Sequence, residues 1–339
     1  MGPAVLLDKS VLVSLSADEI RLLCRYFYII IPPVTMFELL SEAGKNRDDA
    51  MRRLAGQSDK LCMDYIDQED YCYLVFHSFM GSHIEMDGRP IKPGGKRVQA
   101  KDGSIGYMWD VSEVNKKLLR WRVGEPSETE VEQAKEWQRL KAADHMKEFK
   151  CRITKALPTH SIDTVEKAFS AAQGLLYRDE PDMKQAAVDI VIGLSGVNER
   201  GRTDAINRWL ELSMPRLIDI APYAAYAFTL FAAFYTGTAC NLIPISKKDS
   251  AQIDWQYLFY LPFCKAFFSN DGIHERWAPV IGRTVDCEFV SGDKVRAELG
   301  TIAKALMDGH PRSAESGIDS PPQFEGSILN KIWGKVCRR

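Results

Sequence analysis

The chain lacks any imbalance of charge. Among 339 residues, 44 lysines and arginines face 46 aspartates and glutamates, a formal net charge of -2. That excludes a global pull on nucleic acid, so such binding must rest on local basic patches or on cations that offset phosphate charge. Eight cysteines are present, but no C-x-x-C pair and none of the close spacing that structural zinc requires. They read as reduced thiols in apolar surroundings. Also missing are the G-x-x-x-x-G-K-[ST] phosphate cradle, the G-x-S-x-G elbow and the H-E-x-x-H helix. P-loop ATPases, elbow-type serine hydrolases and zincins therefore lose their defining residues. No internal repeat or low-complexity tract stands out.

The opening has no secretory h-region, since Asp8 interrupts the first apolar run, and the myristoylation pattern fails at Leu6. A cytoplasmic location is the expectation. One stretch, 217–239, is long and apolar enough to approach a bilayer span. Asp219 and Pro222 break its start, basic anchors do not flank it on both sides, and small residues crowd it, so a buried core helix and no membrane association are expected.

What is present is ample apolar material: 45% hydrophobic against 27% charged residues, enough for one large domain or two smaller ones. The first forty residues predict β-α-β-α, with strands at 4–7 and 28–31, a helix over 17–25, and a second helix over 34–40 after Pro32-Pro33. Alternation at that density points to a parallel α/β sheet. Between 44 and 212 the pattern turns to polar helices, with a capping box at Ser127 and Glu130, a helix start near Ser161 and Asp163, and a Gly-rich loop or short hairpin over 88–106. Alternation returns late: a strand at 241–245, a helix at 254–262, strands at 266–269 and 287–290, a Pro-containing loop over 309–323, and a final helix. The expected architecture is an α/β domain built from residues 1–44 and 215–339, with a mostly helical insert over 45–214.

Asp8 directly follows the apolar run Ala-Val-Leu-Leu, and Asp271 closes the run Ala266-Phe267-Phe268-Ser269. Both belong at carboxyl ends of parallel strands, where open α/β sheets place their sites. Two such acids repel unless a cation or a proton comes between them. Glu38 lies one turn into the helix after Pro32-Pro33, and Asp254 precedes the apolar run 255–261, a place where an aspartate also serves as a helix cap. Hard oxygens converging from four elements suit Mg²⁺ or Mn²⁺, whereas each acid alone has a structural explanation. Asp249, in the loop 246–252, is an alternative to Asp254.

Taken together these segments resemble the PIN-like domain nucleases. LLDKSVLVSL looks like their first strand, with a metal-binding aspartate at Asp8 and a hydroxyl two residues on at Ser10. VTMFELL resembles the helix bearing their second acid, here Glu38. IDWQYLFYLPFCKAFFSND resembles the stretch with the third and fourth, here Asp254 and Asp271, with Ser269 where the family carries threonine. The separation of Glu38 from Asp254 is far greater than in small members. The resemblance implies a PIN-like sheet, metal held by the four acids, Ser10 and Ser269 as supporting residues, and hydrolysis of a phosphodiester by metal-bound water.

The substrate expectation rests on the middle segment. Lys92, Lys96, Arg97 and Lys101, then Lys116, Lys117, Arg120 and Arg122, are interleaved with Trp109 and Trp121. Basic and aromatic side chains together hold backbone phosphates and stack on unpaired bases, which favours single-stranded RNA over DNA. The same residues at helical spacing also fit a core face. His274 reads as a surface or packing residue at a helix start. The expected function is thus a metal-dependent endoribonuclease. Its rivals are an inactive PIN-like scaffold that binds RNA or a protein partner through the insert, and a DNA nuclease with the same site. Oligomeric state is open.

Overall fold

Neighbouring residues within the two central strands of the main sheet enter different cores. The computed structural model describes residues 2–42, 56, 65–91, 96–99, 105–108, 119–141, 161–243, 250–308 and 320–335. Its strands are β1 (Ala4–Leu7), β2 (Tyr28–Ile31), β3 (Tyr65–Asp67), β4 (Lys96–Gln99), β5 (Ile105–Met108), β6 (Ala266–Ser269) and β7 (Glu288–Ser291). Five of them form one sheet in the order β3-β2-β1-β6-β7, and every adjacent pair is parallel. Val5, Leu7, Ile29, Ile31, Phe268 and Val290 fill the core on one face, while Leu6, Ile30 and Phe267 fill the core on the other. A sheet buried on both faces needs continuous apolar strands, and the runs AVLL and AFFS supply them.

Helices cover the two faces. Lys9–Ser14, Ala17–Tyr26, Pro33–Glu42 and Gly292–Met307 bury apolar residues in one core, and Tyr71–Phe79, Val165–Gly174, Pro181–Ser195, Pro222–Ala239 and Gly272–Gly282 in the other. Local chemistry sets several starts. Ser16 and Glu19 bond reciprocally across the first turn of Ala17–Tyr26, and Ser127 and Glu130 do the same, as expected, before Glu128–Lys141. The start expected near Ser161 falls at Thr164, whose hydroxyl accepts from the Lys167 amide at 3.2 Å.

The apolar stretch at 217–239 is a core element. Arg216, which pairs with Asp219, precedes the short helix Leu217–Ile220, and Pro222–Ala239 is buried along nearly its whole length. Among the described residues no helix is long and apolar enough to cross a membrane. The strand expected at 241–245 is not seen over its described part. Asn241 turns the chain at φ 57°, and the amides of Leu242 and Ile243 both return to the Gly237 carbonyl, closing the helix end. Within the described part of the Gly-rich 88–106 segment and just beyond it, β4 pairs with antiparallel β5. The middle segment is more than an appendage: β3 is an edge strand of the main sheet, and Val165–Gly174 and Pro181–Ser195 share a core with Leu6 and Phe267.

Candidate functional site

The chain runs outward from β1 through β2 to β3, and from β6 to β7 on the opposite side, so the strand order reverses between β1 and β6. Helix Lys9–Ser14 leaves β1 towards one core and Gly272–Gly282 leaves β6 towards the other. A crevice at the carboxyl ends of those two strands follows from this divergence. Asp8 and Asp271 are the N-caps of those helices. Each cap is satisfied: Asp8 accepts from the Ser10 amide at 3.3 Å and Asp271 from the Ile273 amide at 3.0 Å.

Asp8 is 5% exposed and closely held. Its Oδ2 accepts from the Ser10 hydroxyl at 2.7 Å and from the Ser269 hydroxyl at 2.5 Å, which ties β1 to β6. Ser269 Oγ accepts in turn from the Asp271 amide at 3.0 Å, and Ser10 Oγ from the Asn270 amide at 3.1 Å. With its proton committed to Asp8, Ser269 can only accept from His274 Nδ1, 2.8 Å away. His274 Nε2 lies 2.6 Å from the Asp254 carbonyl oxygen, which is also only an acceptor. This pattern suits donation by both ring nitrogens, and Nδ1 of the fully buried ring stands 3.5 Å from Asp8 Oδ2. Burial disfavours the charged ring, but the Asp8 contact and the Asp254 carbonyl and carboxylate outweigh it and raise the His274 pKa. Burial likewise acts to raise Asp8, and His274 with the two serines reverses it, holding the carboxyl below its ordinary range.

Asp254 and Glu38 approach from helices. Asp254 lies inside the helix Ser250–Tyr257 and is not its cap, a correction to the expected start at 254. The expected helix over 254–262 becomes a 3-10 run at Leu258–Phe263, where Pro262 supplies no amide proton. Burial pushes the Asp254 carboxyl up to about 7, reinforced by the charges of Asp271, Glu38 and Asp8 and opposed by His274. Three residues along the same helix, the Tyr257 hydroxyl donates to Glu38 Oε2 at 2.6 Å and accepts from the Lys9 amide at 3.4 Å. Burial and the Glu38 charge raise the Tyr257 pKa well above its usual value, so it stays a donor.

Asp254 thus feels the charges of the other three expected acids. Among the described residues no three His, Cys, Asp or Glu side chains stand close enough to ligate one ion as they are; amides and hydroxyls donate to the carboxylates of Asp8, Glu38 and Asp271. The oxygen donors suit a hard divalent cation: burial is the main cause of the raised Asp254 pKa, and the charges of Asp271, Glu38 and Asp8 add a repulsion that such an ion would relieve. Tyr257 and His274 are the residues that sequence reasoning missed as parts of the site. The available signal was their place one turn beyond Asp254 and Asp271 on the same helices.

Of the basic and aromatic candidates, Trp121 is fully buried and its indole donates to Glu130 at 2.9 Å, so it offers no face to a base, contrary to the stacking role expected. Arg120 pairs with the same carboxylate at 3.0 Å. Lys96 and Arg97 lie on β4. Lys92, Lys101, Trp109, Lys116 and Lys117, and the alternative acid Asp249, fall outside the described residues. Comparison with protein-family models, curated proteins and solved structures finds no match to this chain.

Proposed function

We propose that this chain is a divalent-metal-dependent endonuclease with a PIN-like site that hydrolyses phosphodiester bonds in single-stranded RNA. What supports this above all is the meeting of Asp8 and Asp271 at a strand-order reversal, bridged by Ser269, with Glu38 and Asp254 coupled to them by charge. Asp8, Glu38, Asp254 and Asp271 would hold Mg²⁺ or Mn²⁺. Such an ion, when bound, lowers the pKa of water and offsets charge on a phosphoryl oxygen. Ser10 and Ser269 hydroxyls fix one oxygen of Asp8, and the Ser10 amide donates to the other. Tyr257 orients Glu38, and the His274 charge balances part of the acidic cluster. Asp254 must shed its proton before it can ligate.

Incubating the purified protein with end-labelled single-stranded RNA or DNA, in Mn²⁺, Mg²⁺ or EDTA, tests the reading. The expected result is internal RNA cuts with metal, none with EDTA, and loss of cutting in Asp8→Asn. Faster cutting of DNA would correct the substrate class. No cutting of either polymer with either metal would leave the inactive scaffold as the better account.

A further inference from the structure

Arg276 lies one turn into the helix that Asp271 caps, and it is exposed. Long side chains on a helix lean towards its N-terminus. This one does so, since its Nε donates to the Gly272 carbonyl at 3.2 Å. The guanidinium therefore stands at the carboxyl edge of the sheet, against the residue that follows Asp271. Its Nη1 donates to the Leu242 carbonyl at 2.9 Å, in the turn that closes the helix Pro222–Ala239. Two carbonyls on separate elements thus hold the group in one orientation.

Held this way, the arginine is only partly used. A guanidinium has five N–H donors; two are spent here and three remain, both on Nη2 among them. Among the described residues no carboxylate lies within ion-pair distance of Arg276, whereas Arg216, Arg283 and Arg296 each pair with an acid. Its place also runs against the helix dipole, whose positive end lies at Gly272. A cation gains nothing from that end of a helix, and an anion would answer both charges. The carbonyl contacts by themselves describe a staple between two helices, but a staple has no need of an unpaired charge beside the acids.

We propose that Arg276 is a substrate-binding residue that holds a non-bridging phosphate oxygen of the polynucleotide strand at the rim of the acid cluster. The ligand class rests on the nuclease reading: a strand cut beside Asp8 and Asp271 carries its backbone across this rim, and a planar guanidinium fork matches phosphate geometry. Arg276 brings a fixed positive charge to an edge whose expected ligands are all acids. As a phosphate contact it positions the strand without reading its bases.

The test separates this contact from the nuclease. Fluorescein-labelled single-stranded RNA is titrated with the full chain in Ca²⁺ over a range of salt, and cleavage is followed in Mn²⁺. Arg276→Gln should weaken RNA binding by about tenfold, the scale of one hydrogen bond to a charged group. It should also flatten the dependence of log affinity on log salt by about 0.7, the share of one phosphate on a single strand. Arg276→Lys keeps the charge and should restore the slope. Arg283→Gln removes an equal charge from the other end of the same helix and should change neither quantity. Unchanged affinity and slope in Arg276→Gln would make the residue a staple and overturn the proposal. An equal loss in Arg283→Gln, or a wild type that binds no RNA, would overturn it too. RNA binding that depends on Arg276 without cleavage in Mn²⁺ would keep the phosphate contact and sink the nuclease. Cleavage whose KM is the same in Arg276→Gln would keep the nuclease and sink the contact.

Discussion

Asp271 has two duties, capping a helix and facing Asp254, and one substitution tells them apart. Asparagine caps a helix about as well as aspartate, so Asp271→Asn keeps the bond from the Ile273 amide and removes only charge. Metal-dependent cleavage should fall by at least on the order of 10²-fold, the scale on which even supporting groups of a metal site act. The thermal midpoint in EDTA should hold or rise, because one of the charges repelling Asp254 is gone. A destabilised variant with wild-type specific activity would make Asp271 a cap and nothing more. Asp254 itself gives a pH signature. Its folded pKa of about 7 stands above the ordinary value near 3.8, so the folded chain binds the extra proton between those limits. Its contribution to stability is full below the lower limit and is lost as pH rises through about 7. Metal affinity runs the other way and grows over the same interval. Chemical denaturation in EDTA from pH 5 to 8 should show wild type losing more stability than Asp254→Asn, and equal slopes would remove Asp254 from the cluster.

Several elements carry their meaning in where they end. The strands AVLL, YIII and AFFS were legible because short runs dominated by aliphatic and aromatic residues have few alternatives to a buried parallel strand. The helix starting at Ser250 was not, because Asp254 before an apolar run also reads as a cap. Helix Pro222–Ala239 shows a further limit of local reading: it is apolar on all sides, so periodicity does not say which face meets the sheet. Its packing makes a definite demand at Gly237, where an added Cβ would lie 2.6 Å from Trp277 Cζ2 and 3.0 Å from Ile243 Cδ1. Alanine is the better helix former by about 0.5–1 kcal/mol, but overpacking against a buried indole costs about 1–3 kcal/mol. Gly237→Ala should therefore be net destabilising by about 1 kcal/mol in urea titration. A gain in stability would mean that the indole yields freely.

At the scale of the molecule, metal should report on the fold as a whole. A ligand that binds only the folded chain at a hundredfold excess over its Kd adds about 2.7 kcal/mol. Saturating Mn²⁺ should thus raise the thermal midpoint by several degrees over EDTA in wild type, and much less in Asp8→Asn. An equal rise in both would place the ion elsewhere. By itself the sequence determined that the protein is α/β with a parallel sheet, and that Asp8 and Asp271 end buried strands, because an apolar run closed by an acid is a local pattern. It also marked the capping box at Ser127 and Glu130. Only the tertiary structure decided that β1 and β6 are neighbours across the reversal in strand order, and that Ser269 reaches Asp8 from 261 residues away. The same holds for the seating of the His274 ring between the Ser269 hydroxyl and the Asp254 carbonyl, and for the burial of Trp121. Local pattern fixes whether a residue can end a strand or cap a helix; its partner depends on which distant segments pack beside it, and backbone preference carries no record of that.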